Sequence, residues 1–238
     1  ENSIISNPTL GRIRRFGSLI PELAQIQDQL HSRKPAQLIG KHQMQNQRNE
    51  SLRTYCASLE EFENKLSEPP LRKLMDYWLS LRRGEDLPSK SELNPCVMGE
   101  WTGNTFLYRY HPNRQDFEIR ILGDEIQKPG VWVHSPGRFL SEFADADEMI
   151  AIRDRWSACL NGPTVMCVSH SSDGETTFER LLLPVRDKNR SDNPYIFGMV
   201  LSHKRSRYDR EYKNQMSYPD SIVALDVSLI PEAMVPAQ

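Results

Sequence analysis

The spacing of apolar residues changes twice along the chain. Leu19, Leu23, Ile26 and Leu30 recur at helical intervals behind Ser18 and Pro21, which predicts a short amphipathic helix. Residues 31–50 are polar and glutamine-rich and read as linker. Leu52, Tyr55, Leu59, Phe62 and Leu66 then follow at spacings of 3, 4, 3 and 4, a heptad seam. The seam is too short to stand as an independent coiled coil, so it must pack on the rest of the chain or on a second copy. These five residues are the candidate oligomer interface. Pro69 and Pro70 interrupt the seam, and Leu71, Leu74, Trp78 and Leu81 resume helical spacing up to Gly84.

Beyond residue 100 the period shortens to that of strands. Phe106, Tyr108 and Tyr110 alternate with Leu107 and Arg109. Phe117, Ile119 and Ile121 alternate with Glu118 and Arg120. His111 to Gln115 between them is turn chemistry, so the two runs predict a hairpin. Short elements broken at Pro129-Gly130 and Pro136-Gly137 come next. A helix is predicted over about 146–160, capped by Asp145 or Asp147 and stopped at Gly162-Pro163. Three further strands are predicted at about 164–171, 176–184 and 195–202. Asp173-Gly174 makes a tight turn between the first two, and the polar loop Asp187 to Asn193 joins the last two. Five strands with the helices inserted after the second indicate an α+β fold with one antiparallel sheet and short helices on one face. An amphipathic helical extension precedes it.

Composition locates the domain. All four tryptophans and 14 of the 20 aromatic residues lie between 71 and 203, whereas residues 1–66 carry only Phe16, Tyr55 and Phe62. Large rings dominate core energetics, so the core is expected in 71–203, with 1–66 as an N-terminal extension and 204–238 as a tail. The 30 basic and 32 acidic residues leave a net charge of −2, which gives no global field to hold a polyanion. No run approaches the roughly 20 apolar residues of a membrane span. No charged-then-apolar leader opens the sequence, and a cytoplasmic protein is expected.

Candidate chemistry is sparse. Cys56, Cys96, Cys159 and Cys167 form no C-x-x-C pair, so reduced thiols are expected and a structural zinc is not. His170 beside Asp173 and Glu175 resembles part of a catalytic or metal set, but it falls at a predicted turn. No nucleophile, base and oxyanion donor assemble in the sequence, and no catalytic or metal residue is assigned. Basic residues interleave with Tyr208 and Tyr212 in 204–213, a pattern that can hold single-stranded nucleic acid. Asp209 and Glu211 offset that charge, and a solvated tail is the favoured reading. Ile222 to Val227 is apolar enough to dock on the domain.

The element order, and five ordered motifs, resemble the stand-alone PAS proteins of bacteria. The motifs are Tyr77-Trp78, then Leu87-Pro88-Ser89-Lys90, then Leu93-Asn94-Pro95. Arg120-Ile121-Leu122-Gly123 at a strand end and Leu183-Pro184 at another complete the set. The resemblance covers about 71–203. It implies a PAS fold with a cavity between the sheet and the short helices. Candidate lining residues are Phe117, Ile119, Ile126, Trp132, His134, Phe139, Met166, Leu181, Phe197 and Met199, and the same residues would fill a closed core equally well. His134 lies in the region from which some PAS sensors ligate haem iron, though one histidine is slender support for haem. None of the cysteines sits in the setting that flavin photochemistry requires. The resemblance implies a non-enzymatic sensor or adaptor. Its partner would be another signalling protein, with a small-molecule ligand and a homodimer as further expectations. The alternative is an interaction module with a filled core. A nucleic-acid-binding regulator ranks below both.

Overall fold

The computed structural model describes residues 44, 47–48, 50–84, 86–126, 136–172, 175–188, 190–202 and 219–232. The chain divides into two units, 1–41 and 42–238, and every described residue belongs to the second. The predicted helix at 19–30, Trp132, His134, Asp173-Gly174 and the basic run 204–213 lie outside the described residues.

Seven strands form one sheet. They are β1 (Arg53–Tyr55), β2 (Thr105–His111), β3 (Asp116–Leu122), β4 (Thr164–Ser172), β5 (Glu175–Asp187), β6 (Arg190–Ser202) and β7 (Ser221–Asp226). Their order is β1-β7-β4-β5-β6-β2-β3. All neighbours run antiparallel except β1 and β7, which are parallel. The sequence pattern predicts five strands. The other two come from the flanks, where local periodicity is weak and pairing partners are far away. β7 pairs with β4 from Thr164↔Asp226 to Ser169↔Ser221, and β1 adds to β7 from Arg53↔Ile222 to Tyr55↔Ala224. An open β4 would present a row of unpaired amides and carbonyls, and β7 satisfies them. β5 and β6 also run closer together than the predicted polar loop allows, because Asp187 already pairs with Arg190.

Helices cover both faces rather than one. α1 (Leu59–Lys65) starts at Ser58, whose hydroxyl accepts from the Glu61 amide. α2 (Pro69–Leu81) uses the two prolines as its first turn, where a missing N–H costs nothing, so they begin a helix rather than only ending one. A short α3 (Pro95–Met98) is capped by the Asn94 side chain. α4 (Ala146–Asn161) opens on a reciprocal capping box between Asp145 and Glu148.

The predicted continuous seam 52–66 is therefore split. Residues 53–55 join the sheet, and Cys56 donates its amide to the Ala224 carbonyl at 2.8 Å. Leu52 ends a preceding helical turn, and 59–65 forms a separate helix. Phe62 and Leu66 are fully buried in the chain's own core and Leu59 packs against that core, leaving Tyr55 exposed. Leu59, Phe62 and Leu66 thus pack inside the molecule, where α1 and α2 cover one face of the sheet.

That face also buries Leu71, Leu74, Trp78, Leu181, Leu183, Phe197 and Met199. The opposite face, beneath α4, buries Phe106, Phe117, Ile119, Met166, Phe178, Leu182, Ile196 and Trp156.

Candidate functional site

The cavity that the sequence resemblance implies would lie beneath α4. Trp156 is at the centre of that face and is 2% exposed. Its ring stacks nearly parallel to Phe106 at 6.2 Å, tilts against Tyr108 at 4.9 Å and meets Phe117 edge-on at 4.9 Å. The Arg180 guanidinium from β5 lies 5.6–5.7 Å from the ring centres of Phe106, Trp156 and Phe178, which is cation–π range. Arg155, beside Trp156 on α4, is also buried. Asp116 ties the edge of this face to the 140–142 turn, accepting from the Phe117 amide at 2.8 Å and the Ser141 hydroxyl at 2.5 Å. The described residues here meet ring to ring.

The eight described candidate lining residues do not converge. Phe117, Ile119, Met166 and the partly buried Ile126 lie beneath α4. Leu181, Phe197 and Met199 point to the other face, under α1 and α2. Successive strand residues alternate faces, so Leu182, Ile196 and Val200 occupy the positions assigned to them. Phe139 is half-buried away from both clusters, with the Arg114 guanidinium 3.7 Å from its ring centre and His111 edge-on at 5.2 Å. Trp132 and His134 are outside the described residues.

His170 pairs with the Asp220 carboxylate at 2.9 Å, which also accepts from the Ser171 amide. It fastens the start of β7 to β4. Among the described residues no group of three or more His, Cys, Asp or Glu side chains could hold a metal ion, and no helix is long and apolar enough to cross a membrane. Burial pushes the Cys159 thiol far above its ordinary value. Burial, with Glu179 nearby, does the same to Cys167.

A second cluster lies on the α1/α2 side of the sheet, on β2, β3 and β6. Glu118 accepts from Arg120 at 2.6 Å and pairs with His111 at 2.8 Å, with Arg109 at 3.9 Å. Burial works to raise its pKa, but the hydrogen bonds and charges of His111 and Arg120 outweigh it and hold the carboxyl below its ordinary value. Arg109 stands across the ladder from both Glu118 and Tyr195. The Tyr195 hydroxyl accepts from Lys90, which also pairs with Asp187, both at 2.9 Å. Those two hydrogen bonds raise the Lys90 pKa despite partial desolvation. Sequence reasoning missed this set because its members are scattered from 90 to 195. The only local trace is the polar alternation of Glu118 and Arg120.

No curated protein and no solved structure matches the chain. A family model described as a PAS domain matches residues 66–201, more than half of the sequence, and takes in α2, α4 and the strands β2 to β6. β1, α1 and β7 fall outside the match and complete the same sheet and core. The chain belongs to the PAS-domain family.

Proposed function

We propose that this chain is a cytoplasmic sensory or signalling module of the stand-alone bacterial kind, without catalytic activity, that passes its state to another protein by direct contact. PAS domains are generally sensory rather than catalytic, which supports this class. One observation carries the route: a strand from each flank joins the domain's sheet, β7 along the edge of β4 and β1 along β7. β4 sends Met166 and Val168 to the α4 face and Val165 and Cys167 to the α1/α2 face. A change in packing under α4 therefore reaches β7 and β1 through one strand. The surfaces those flanks present are where a partner would read it. The stand-alone branch is supported by the way its motifs interlock: the Tyr77 hydroxyl accepts from the Asn94 amide, and the Trp78 indole donates to the Pro184 carbonyl.

The test is hydrogen exchange on the full chain with Trp156→Phe. Amides of 222–226 and 53–55 should exchange faster in the variant. Unchanged exchange there would remove the proposed route. A small-molecule mass that survives buffer exchange in native mass spectrometry, and is lost in Phe117→Ala, would instead make the α4 face a ligand chamber.

A further inference from the structure

The polar cluster opposite α4 surrounds a pocket of about 300 Å³, at the low end of the range for small-molecule sites. Lys90, Arg109, Arg120 and Lys188 bring four cations to it, with Asp187 and Tyr195 completing the wall. Two carboxylates stand against the four. Asp187 is engaged by Lys90, and Glu118 is shared among Arg120, His111 and Arg109. Among the described residues the formal balance is four positive against two negative charges before His111 is counted, an excess of two.

The donors are also undercommitted. Among the described residues the buried Nε of Arg109 has no hydrogen-bond partner, and its Nη1 stands 3.9 Å from the Glu118 carboxylate. Lys188 is exposed and forms no ion pair among the described residues. Tyr195 is 2% exposed and its oxygen accepts from Lys90, which leaves its own O–H proton to donate. A buried donor without an acceptor is costly, and an arriving anion removes that cost. Guanidinium forks match the oxygens of a phosphoryl group, and an excess of two positive charges matches a dianion better than a single carboxylate.

We propose that this pocket binds the phosphate group of a small phosphorylated molecule, held by Arg109, Arg120, Lys188 and the Tyr195 hydroxyl. It lies on the face opposite the one invoked for signalling above, and stands or falls separately from it.

The test is calorimetric and NMR titration of the full chain at low ionic strength with inorganic phosphate, pyrophosphate and acetate. Phosphate and pyrophosphate should bind in preference to acetate and shift the Arg109 and Tyr195 resonances. Lys188→Gln sits at the exposed rim and should leave the thermal midpoint unchanged, whereas Arg120→Gln also removes the Glu118 ion pair and should lower it modestly. Each should weaken pyrophosphate binding by about tenfold, as loss of one charge-assisted hydrogen bond predicts. Tyr195→Phe should weaken it less. Absence of binding, equal affinity for acetate, or affinity unchanged in the Arg120→Gln, Lys188→Gln double variant would each overturn the assignment.

Discussion

The indole N–H of Trp78 donates to the carbonyl oxygen of Pro184 at 3.0 Å, across 106 positions of sequence and with Trp78 fully buried. Two of the motifs that mark the family resemblance are thus one contact. Proline has no N–H to give a ladder, and β4 pairs with β5 only as far as Leu182, so Pro184 costs no bond on that side. Its carbonyl then needs a donor, and Trp78 supplies it. Trp78→Phe keeps most of the ring but orphans that carbonyl. Chemical denaturation should show a loss of about 1–3 kcal/mol. Tyr77→Phe, whose hydroxyl lies nearer the surface, should cost less.

Other motif residues have similarly local reasons. Ser89 caps the 90–92 turn in a reciprocal box with Glu92, and Asn94 caps α3. A Cβ on Gly123 would lie 2.3 Å from the Gly103 carbonyl oxygen, so the strand-end glycine is required by backbone approach. The two caps are short-range and were readable, whereas Gly123 meets Gly103 only in the fold. The β2–β3 hairpin, with its alternating faces, and α4 with its cap were readable too. The facing of β5 and β6 was not readable. Leu181-Leu182-Leu183 is buried on both sides, and a run without polar positions gives no phase. The heptad seam misled for the opposite reason. Its local pattern is helical, but the pairing of 53–55 with β7 is worth more than the propensity it overrides. The polar pocket was invisible because only the fold gathers its residues.

Phe62 distinguishes the internal packing from an intermolecular seam. It is fully buried within the chain, among residues that include Leu66 and Leu71. Phe62→Ala should lower stability by about 3–5 kcal/mol in urea titration at any protein concentration. A stability loss that vanishes on dilution would return the residue to an interface between copies.

Val223 pairs with Cys167 on one side and Thr54 on the other. Val223→Pro removes an amide and distorts both ladders. Exchange should accelerate at amides 164–169 and 53–55, while the β2–β3 hairpin at the far edge keeps its protection. Uniform loss across the whole sheet would mean that β7 is needed for the fold itself rather than for closing its edge.

The depressed pKa of Glu118 gives a pH dependence of defined sign. Its carboxylate is favoured in the folded state, so its contribution is complete above the ordinary value of 4.5 and disappears as pH falls through the lower folded value. Stability of the wild-type chain should therefore decline below about pH 4.5. Glu118→Gln should flatten that part of the decline while lowering stability near neutrality. If the variant and wild type fall in parallel through the acid range, the His111 and Arg120 contacts do not act on Glu118 as described.

The four free thiols report on the core from within. Cys96 is exposed, whereas Cys56, Cys159 and Cys167 are 3% exposed or less. Cys159 lies on the buried side of α4 and Cys167 on the α1/α2 face, so the two sample opposite layers. Cys167 also lies 3.9 Å from the buried Glu179 carboxylate, which accepts from the Ser67 hydroxyl at 2.5 Å between α1 and α2. The thiolate is the reactive form, and burial disfavours it at all three buried sites. An aromatic disulfide reagent at pH 8 should therefore modify one thiol quickly and the other three only as fast as the chain opens. Cys56 closes the β1–α1 connection, so it should be the first of the three to react if the flank opens before the domain. Simultaneous reaction of Cys56, Cys159 and Cys167 would instead mean that flank and PAS domain unfold as one cooperative unit. Rapid modification of Cys159 in the unperturbed chain would contradict the packing of α4 against Trp156 and its neighbouring rings.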